Sequence, residues 1–275
     1  MSTTLPPGSE AQLGPEPQLL RSHDILCVRA SNPGPYTLSG TNTWLVGREP
    51  TWVIDPGPRL AEHVRDLRRA IDARGGLGGI ALTHDHRDHS EAVRELRERH
   101  RAPLAAGHGE ADVVLAEGAR FGPLQAASTP GHAPDHFAFI AAGACFSGDA
   151  VLGEGSVFIS PYEGAMAAYL QGLERLRRRD DFSVICPGHG PVAWDGHAKL
   201  QEYLDHRAER ERGLVLALAE GRRSVQELLD AVWGEVPAPL RPAAEVTLAA
   251  HLDKLEGEGS LPDGVERPAG GHRAQ

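Results

Sequence analysis

Apolar residues in this chain come in short runs bounded by glycine, proline or charge, and two spacings alternate along it. Apolar runs of about four to eight residues read as buried strands; apolar positions three and four apart read as one face of a helix. The pattern predicts a first strand over 23–30, a loop over the Pro/Gly-rich segment 32–40, and a strand pair, 43–46 and 51–54, around the turn Arg48-Glu49-Pro50. Val64, Leu67, Ala70 and Ile71 predict a helix over 60–73. A strand at 79–82 follows, then a helix with Val93 and Leu96 on its inner face, capped by Ser90 and running to Arg101. A short strand is expected at 103–106, and 121–129 leads to His132. Residues 137–140 and 144–146 form a hairpin about Ala142-Gly143, 165–178 a helix, and 182–186 the last strand of a large domain. Beyond it the spacing becomes wholly helical: one long helix over 196–218, then two shorter ones over 224–232 and 243–255. Val225, Leu228, Leu229 and Val232 make one apolar face, and Val246, Leu248, Leu252 and Leu255 another. Helices this short bury little alone, so they are expected to pack on one another and on the long helix.

That order implies α/β layers with an α-helical C-terminal part. The expected division is a disordered tail at 1–22, a catalytic domain at 23–195, a helical domain at 196–261, and a second disordered tail at 262–275. A length of 275 residues accommodates one large domain, or a medium and a small one.

Composition changes the picture in three ways. The formal net charge is −10, so the chain has no global attraction for nucleic acid or an anionic membrane. The cysteines, Cys27, Cys145 and Cys186, are odd in number and each lies in an apolar run. They read as small buried hydrophobes without a disulfide framework, which fits a reducing compartment. Residues 1–18 lack the basic start and apolar core of a signal peptide, and no run approaches the roughly 18 apolar residues of a membrane span. A cytoplasmic protein is the expectation.

One stretch carries the chemistry. Thr83-His84-Asp85-His86-Arg87-Asp88-His89 packs three imidazoles and two carboxylates directly after the strand at 79–82. Side chains at such a strand end face a cleft on α/β folds. His84 and His86, two apart on extended backbone, face the same side. Asp88 and His89 come after the turn and can serve a second, nearby centre. Imidazole nitrogen with carboxylate oxygen suits zinc, with manganese or iron as alternatives. Three further candidate ligands follow apolar runs and sit beside glycine: His132 in Thr129-Pro130-Gly131-His132, Asp149 in Ser147-Gly148-Asp149, and His189 in Pro187-Gly188-His189-Gly190. There is no Gly-x-Ser-x-Gly elbow and no phosphate-binding Gly-Lys-Ser/Thr loop, so hydrolysis at a two-metal centre is the economical reading.

His84-x-His86-x-Asp88-His89, followed in order by His132, Asp149 and His189, resembles the signature of the metallo-β-lactamase superfamily, over roughly residues 23–195. Asn32-Pro33-Gly34-Pro35, the run from Thr37 through Asn42 to Thr43, and Phe146-Ser147-Gly148-Asp149 leading to Leu152-Gly153-Glu154-Gly155 resemble its lactamase-beta-2-like branch. The resemblance implies an αββα sandwich with a small C-terminal winged-helix-like domain. It implies one ion on His84, His86 and His132, a second on Asp88, His89 and His189, and Asp149 between them. It also implies that Asp55, closing the strand at 51–54, supports the metal loop from behind. Two cations about 3.5–4 Å apart can share a hydroxide and polarise a carbonyl or phosphoryl oxygen. Asp88 is then the residue to orient the attacking water or take its proton. His136 can orient a ligand, reach substrate as an acid, or anchor the strand beginning at Phe137. Asn42, Tyr162 and Glu163 are candidates for contact with substrate or support of the ligands.

The substrate stays open between classes. A thioester, ester or lactone, free or on an acyl carrier, suits the acidic chain. RNA cleavage is permitted by the branch, yet from Gly221 onward six basic residues face nine acidic ones, where a nucleic-acid-binding winged helix presents a basic surface. The tail is expected instead to shape the cleft or to join two copies of the chain. A secreted β-lactamase lacks an export signal here, a glutathione thioesterase lacks recognisable basic anchors, and a non-catalytic regulator has no need of the full ligand set.

Overall fold

The computed structural model describes Leu20 and residues 23–269. The rest of both expected tails lies outside the described residues. The described chain divides into two units: residues up to Ser128 with Asp135–Gly155 and Arg179–His197, and Thr129–Pro134 with Ser156–Arg178 and the chain from Ala198 onward.

In the first unit, β1 (Ile25–Arg29), β2 (Asn42–Val46) and β3 (Thr51–Ile54) form an antiparallel meander. β4 (Leu77–Ala81), β5 (Leu104–Ala106) and β6 (Val113–Val114) extend it in parallel, giving a six-stranded sheet in chain order. Parallel neighbours need long crossovers. α1 (Ala61–Asp72) supplies one, between β3 and β4; the short α2 (Arg87–Ser90) and α3 (Val93–His100) supply the next. A second sheet has the order β11-β10-β9-β8-β7, from β7 (Arg120–Phe121), β8 (Leu124–Ser128), β9 (Phe137–Ala141), β10 (Ala144–Gly148) and β11 (Val184–Pro187). Only its β10–β11 pair is parallel.

Alternation along the strands sorts two apolar sets onto the two faces of the first sheet. Leu45, Val53 and Ile80 pack with Leu67 and Ile71 of α1 and Leu96 of α3. Trp44, Ile54 and Ala81 pack with Phe139, Phe146 and Cys186 of the second sheet. The layers are therefore helix, sheet, sheet, with a core on each side of the first sheet. Leu20 is buried in the inter-sheet core, as are Cys27 and Cys186, and all three cysteines are free. Trp194 packs against the same core, as a packing residue should.

The second unit is helical: α4 (Ala165–Arg177), the part of α5 (Gly196–Ala219) from Ala198, α6 (Val225–Val232), a 3-10 turn (Ala238–Leu240) and α7 (Arg241–Gly257). Leu214 and Leu218 of α5, Leu228 and Leu229 of α6, and Leu248, Leu252 and Leu255 of α7 make one core with Trp233. The short helices are stabilised by each other, as their narrow apolar faces demand.

Two expectations need correction, and two strands come in addition. Ser90 does not cap a helix to Arg101: it ends α2, and α3 starts afresh at Val93 without a side-chain cap. The break is held from outside, since the Ala92 N–H donates to the Gly57 carbonyl. The two-residue strands β6 and β7 show no period in so short a run, and only their sheet neighbours define them. Residues 262–269, the described part of the tail expected to be disordered, are ordered. Val265 packs on the helical core, Arg267 pairs with Asp253 and Glu256, and the Glu266 carboxylate accepts from the Val225 N–H. No described helix is long and apolar enough to cross a membrane.

Candidate metal centre

Four chain ends of the first unit deliver the candidate ligands. β4 runs through Leu82 and Thr83 into His84 and His86, and α2 turns Asp88 and His89 back beside them. β10 ends at Gly148 and hands over Asp149; β11 ends at Pro187 and hands over His189. Because β10 and β11 are parallel neighbours, Asp149 and His189 emerge at the same edge.

The donor atoms converge. His84 Nε2 lies 3.0 Å from His86 Nδ1, and His89 Nε2 lies 3.2 Å from His189 Nε2. Asp149 places one carboxylate oxygen 3.5 Å from His89 Nε2 and the other 3.4 Å from His189 Nε2. Asp88 reaches the same two nitrogens at 3.6 and 3.2 Å. Donors of His84, His89 and Asp149, and again of Asp88, His89 and His189, lie within 4.8 Å of one another. Asp85, the remaining carboxylate of the motif, is exposed.

His84, His89, His189 and Asp149 are each oriented from behind, as metal ligands generally require. Asp55, buried at the end of β3, accepts from the Thr83 N–H and the Thr83 hydroxyl, both at 2.7 Å, and pairs with His89 Nδ1 at 2.9 Å. Thr83 Oγ1 also lies 2.9 Å from His84 Nδ1. His189 Nδ1 faces the Gly40 carbonyl. The Asn42 amide donates to the Pro187 and Gly190 carbonyls, and the Trp44 indole donates to Pro187 as well. Asn42 thus braces the His189 loop. His136 is buried, accepts from the Asp149 N–H through Nε2 at 3.1 Å, and stacks on the His84 ring. That bond puts its proton on Nδ1 and makes it a support for Asp149.

His132 and Tyr162 lie in the second unit. His132 Nδ1 faces the Phe158 carbonyl at 3.2 Å, which directs Nε2 as its remaining donor. Tyr162 approaches α4, with its carbonyl accepting from the Ala165 N–H; Glu163 beside it is exposed. Sequence reasoning missed the contributions of Thr83 and Trp44, whereas Gly188 was already visible as a glycine beside His189 that permits close approach. A threonine before the histidine motif was visible, but its partner Asp55 lies 28 positions away.

Electrostatics fit a cation. Burial opposes charging the His189 imidazole, yet Asp149 and Asp88 raise it to about 9. His89 is likewise raised well above its ordinary value, by Asp149 and Asp55 against the effect of burial. Burial works against Asp149 as an anion, and the facing imidazoles still hold it well below the usual carboxylate range. A buried anion thus collects positive charge, here protons; a divalent ion satisfies the same field and leaves the imidazoles neutral. Space also fits. A Cβ on Gly188 would stand 2.5 Å from Asp149 Oδ1 and 2.7 Å from His89, so only glycine lets the β11 end pass this close.

Similarity to known proteins agrees with the geometry. The chain is 33% identical to an atrochrysone carboxyl ACP thioesterase of Aspergillus chevalieri, covering 90% of this chain and 86% of that protein. The chain belongs to the metallo-β-lactamase superfamily. It is 30% identical to a beta-lactamase-like protein 2 homolog of Drosophila melanogaster, over 86% of this chain and 89% of that one. A beta-lactamase domain protein from Burkholderia ambifaria shares the fold, with a TM-score of 0.74 at 21% identity, covering 88% and 90% of the two chains. Residues 224–261 match the beta-lactamase associated winged helix domain. This superfamily member is a hydrolytic enzyme with a His/Asp cluster suited to divalent metal.

Proposed function

We propose that this hydrolase cleaves a carboxyl-derived bond, foremost a thioester of a small molecule or acyl carrier, at a centre of two zinc ions. What carries the reading is the similarity to a carboxyl ACP thioesterase across 86% of that protein's length, in a chain whose His/Asp donors converge as described. His84, His86 and His132 would hold one ion, Asp88, His89 and His189 the other, with Asp149 shared. Imidazole and carboxylate donors favour zinc, with manganese or iron as the alternatives. When bound, such ions polarise a carbonyl and lower the pKa of water to about 7.

The chain's own residues then do the rest. Asp55 and Thr83 keep the imidazoles aimed, so the site needs no reorganisation as charge develops. Asp88, partly exposed beside the cluster, would orient the water and take its proton. Water adds to the thioester carbonyl carbon, the carbon–sulfur bond breaks, and a carboxylate and a thiol leave. The buried cysteines are no alternative nucleophiles: burial pushes the Cys27 and Cys145 thiols up to about 12 and Cys186 well above its ordinary value.

The test is elemental analysis followed by paired assays on an acyl thioester and an unstructured RNA, each with a chelator control. Near two zinc per chain and chelator-sensitive thiol release, with RNA intact, is the expected result. Asp88→Asn, assayed at zinc concentrations that keep both sites filled, should lose about 100-fold or more in kcat. RNA cleavage abolished by chelation and by His84→Ala would replace the thioesterase reading with a nuclease.

A further inference from the structure

The second unit holds more than a winged helix: it holds the His132 segment, and a chain of hydrogen bonds joins the two. His132 Nδ1 faces the Phe158 carbonyl, and the two rings lie 4.6 Å apart. The Ser160 N–H donates to the Gly131 carbonyl at 2.9 Å, and the Ser160 hydroxyl donates to the His132 carbonyl. Residues 156–160 thus strap both the backbone of His132 and its ring nitrogen Nδ1. This strap is itself an irregular loop with no ladder of its own, so something else must fix it.

Two helices do so. From α7, the buried Thr247 hydroxyl donates to Ala243 one turn earlier and accepts from the Ile159 N–H at 3.3 Å. From α5, Arg207 donates to the Val157 carbonyl, lies within 3.5 Å of the Ser156 hydroxyl, and sits over the Tyr169 ring. Arg207 is 1% exposed. Tyr169 in turn presses on Gly131, where a Cβ would come within 2.4 Å of it. A buried guanidinium spent on a loop carbonyl is costly unless its partners are fixed. A mid-helix threonine that bonds outward to a loop is likewise more than a propensity choice.

We propose that Thr247, within the winged-helix segment, is a positioning residue for the metal ligand His132, acting through Ile159 and the Phe158 carbonyl, with Arg207 as the second anchor of the strap. The C-terminal domain is on this view the support of the His132 ligand. The inference rests on the two-ion reading above.

The test uses the full chain, loaded with zinc and titrated with a chromophoric chelator. Thr247→Val keeps the volume and removes the hydroxyl. One of the two zinc equivalents should weaken about tenfold, the low end for loss of a ligand's supporting bond, while the other is unchanged. Thr247→Ser should restore wild-type binding, and Arg207→Gln should reproduce the selective loss from the other end of the strap. Wild-type binding of both equivalents in Thr247→Val, equal weakening of both, or failure of Thr247→Ser to rescue would each overturn the proposal. A wild-type chain that binds no zinc would instead overturn the metal reading on which it rests.

Discussion

Asp55 concentrates three buried hydrogen bonds on one carboxylate, and it does so from the left-handed region, at φ 50°. Aspartate tolerates that conformation better than most residues. Asp55→Ala should therefore act twice. Metal affinity should fall about 10–100-fold as His84 and His89 lose their orientation. Stability should drop by about 1–3 kcal/mol because the buried Thr83 N–H is left without an acceptor. Chelator competition and urea unfolding of the ion-free protein separate the two effects. Protons compete for the same nitrogens. His189 is raised from 6.5 to about 9, so the folded ion-free protein binds that proton more tightly than the unfolded chain. Its contribution is complete below 6.5 and is lost as pH rises through about 9. Asp149, lowered from 3.8, contributes above that value and loses its contribution only as pH falls through its depressed folded value. Ion-free protein should thus lose melting temperature from pH 6.5 to 9, whereas zinc affinity should rise over the same interval, because zinc needs the nitrogens bare. Melting curves with and without chelator check this, and parallel slopes would contradict it.

At the scale of elements, strand ends place the chemistry and glycine sets how closely they approach. Gly188→Ala should abolish tight metal binding while far-UV circular dichroism stays native, since the added methyl collides first with the Asp149 carboxylate and the His89 ring. The helical unit offers a control. Ser224 and Glu227 form a full capping box at the start of α6. Ser224→Ala should lower stability by about 1 kcal/mol with catalytic rates unchanged, measured by thermal unfolding. This cap was legible, since Ser224 precedes an apolar face with glutamate three positions on. The break between α2 and α3 was not, because the bond from Ala92 to Gly57 is made with a distant turn.

At the scale of the whole molecule, net charge −10 sets the expectation for partners. The winged-helix segment carries no basic surplus, and its cations are engaged, Lys254 with Glu211 and Glu258 and Arg241 with Asp230; just beyond it, Arg267 pairs with Asp253 and Glu256. An RNA-binding role would need a free basic surface whose affinity falls steeply with salt. The same segment instead bonds to the loop that carries His132's partner, Phe158. What the sequence by itself determined were the features that are local. Hydrophobic period predicted most strands and helices to within a few residues, because burial of a face acts over neighbouring positions. The dense histidine motif declared its chemistry, because ligand types and spacing are local too. Tertiary structure alone decided who supports whom: Asp55 beneath Thr83, Asn42 bracing Gly190 across 148 positions, and Thr247 behind Ile159 across 88. Those bonds join groups that are ordinary in sequence and become specific only when folding removes water from between them.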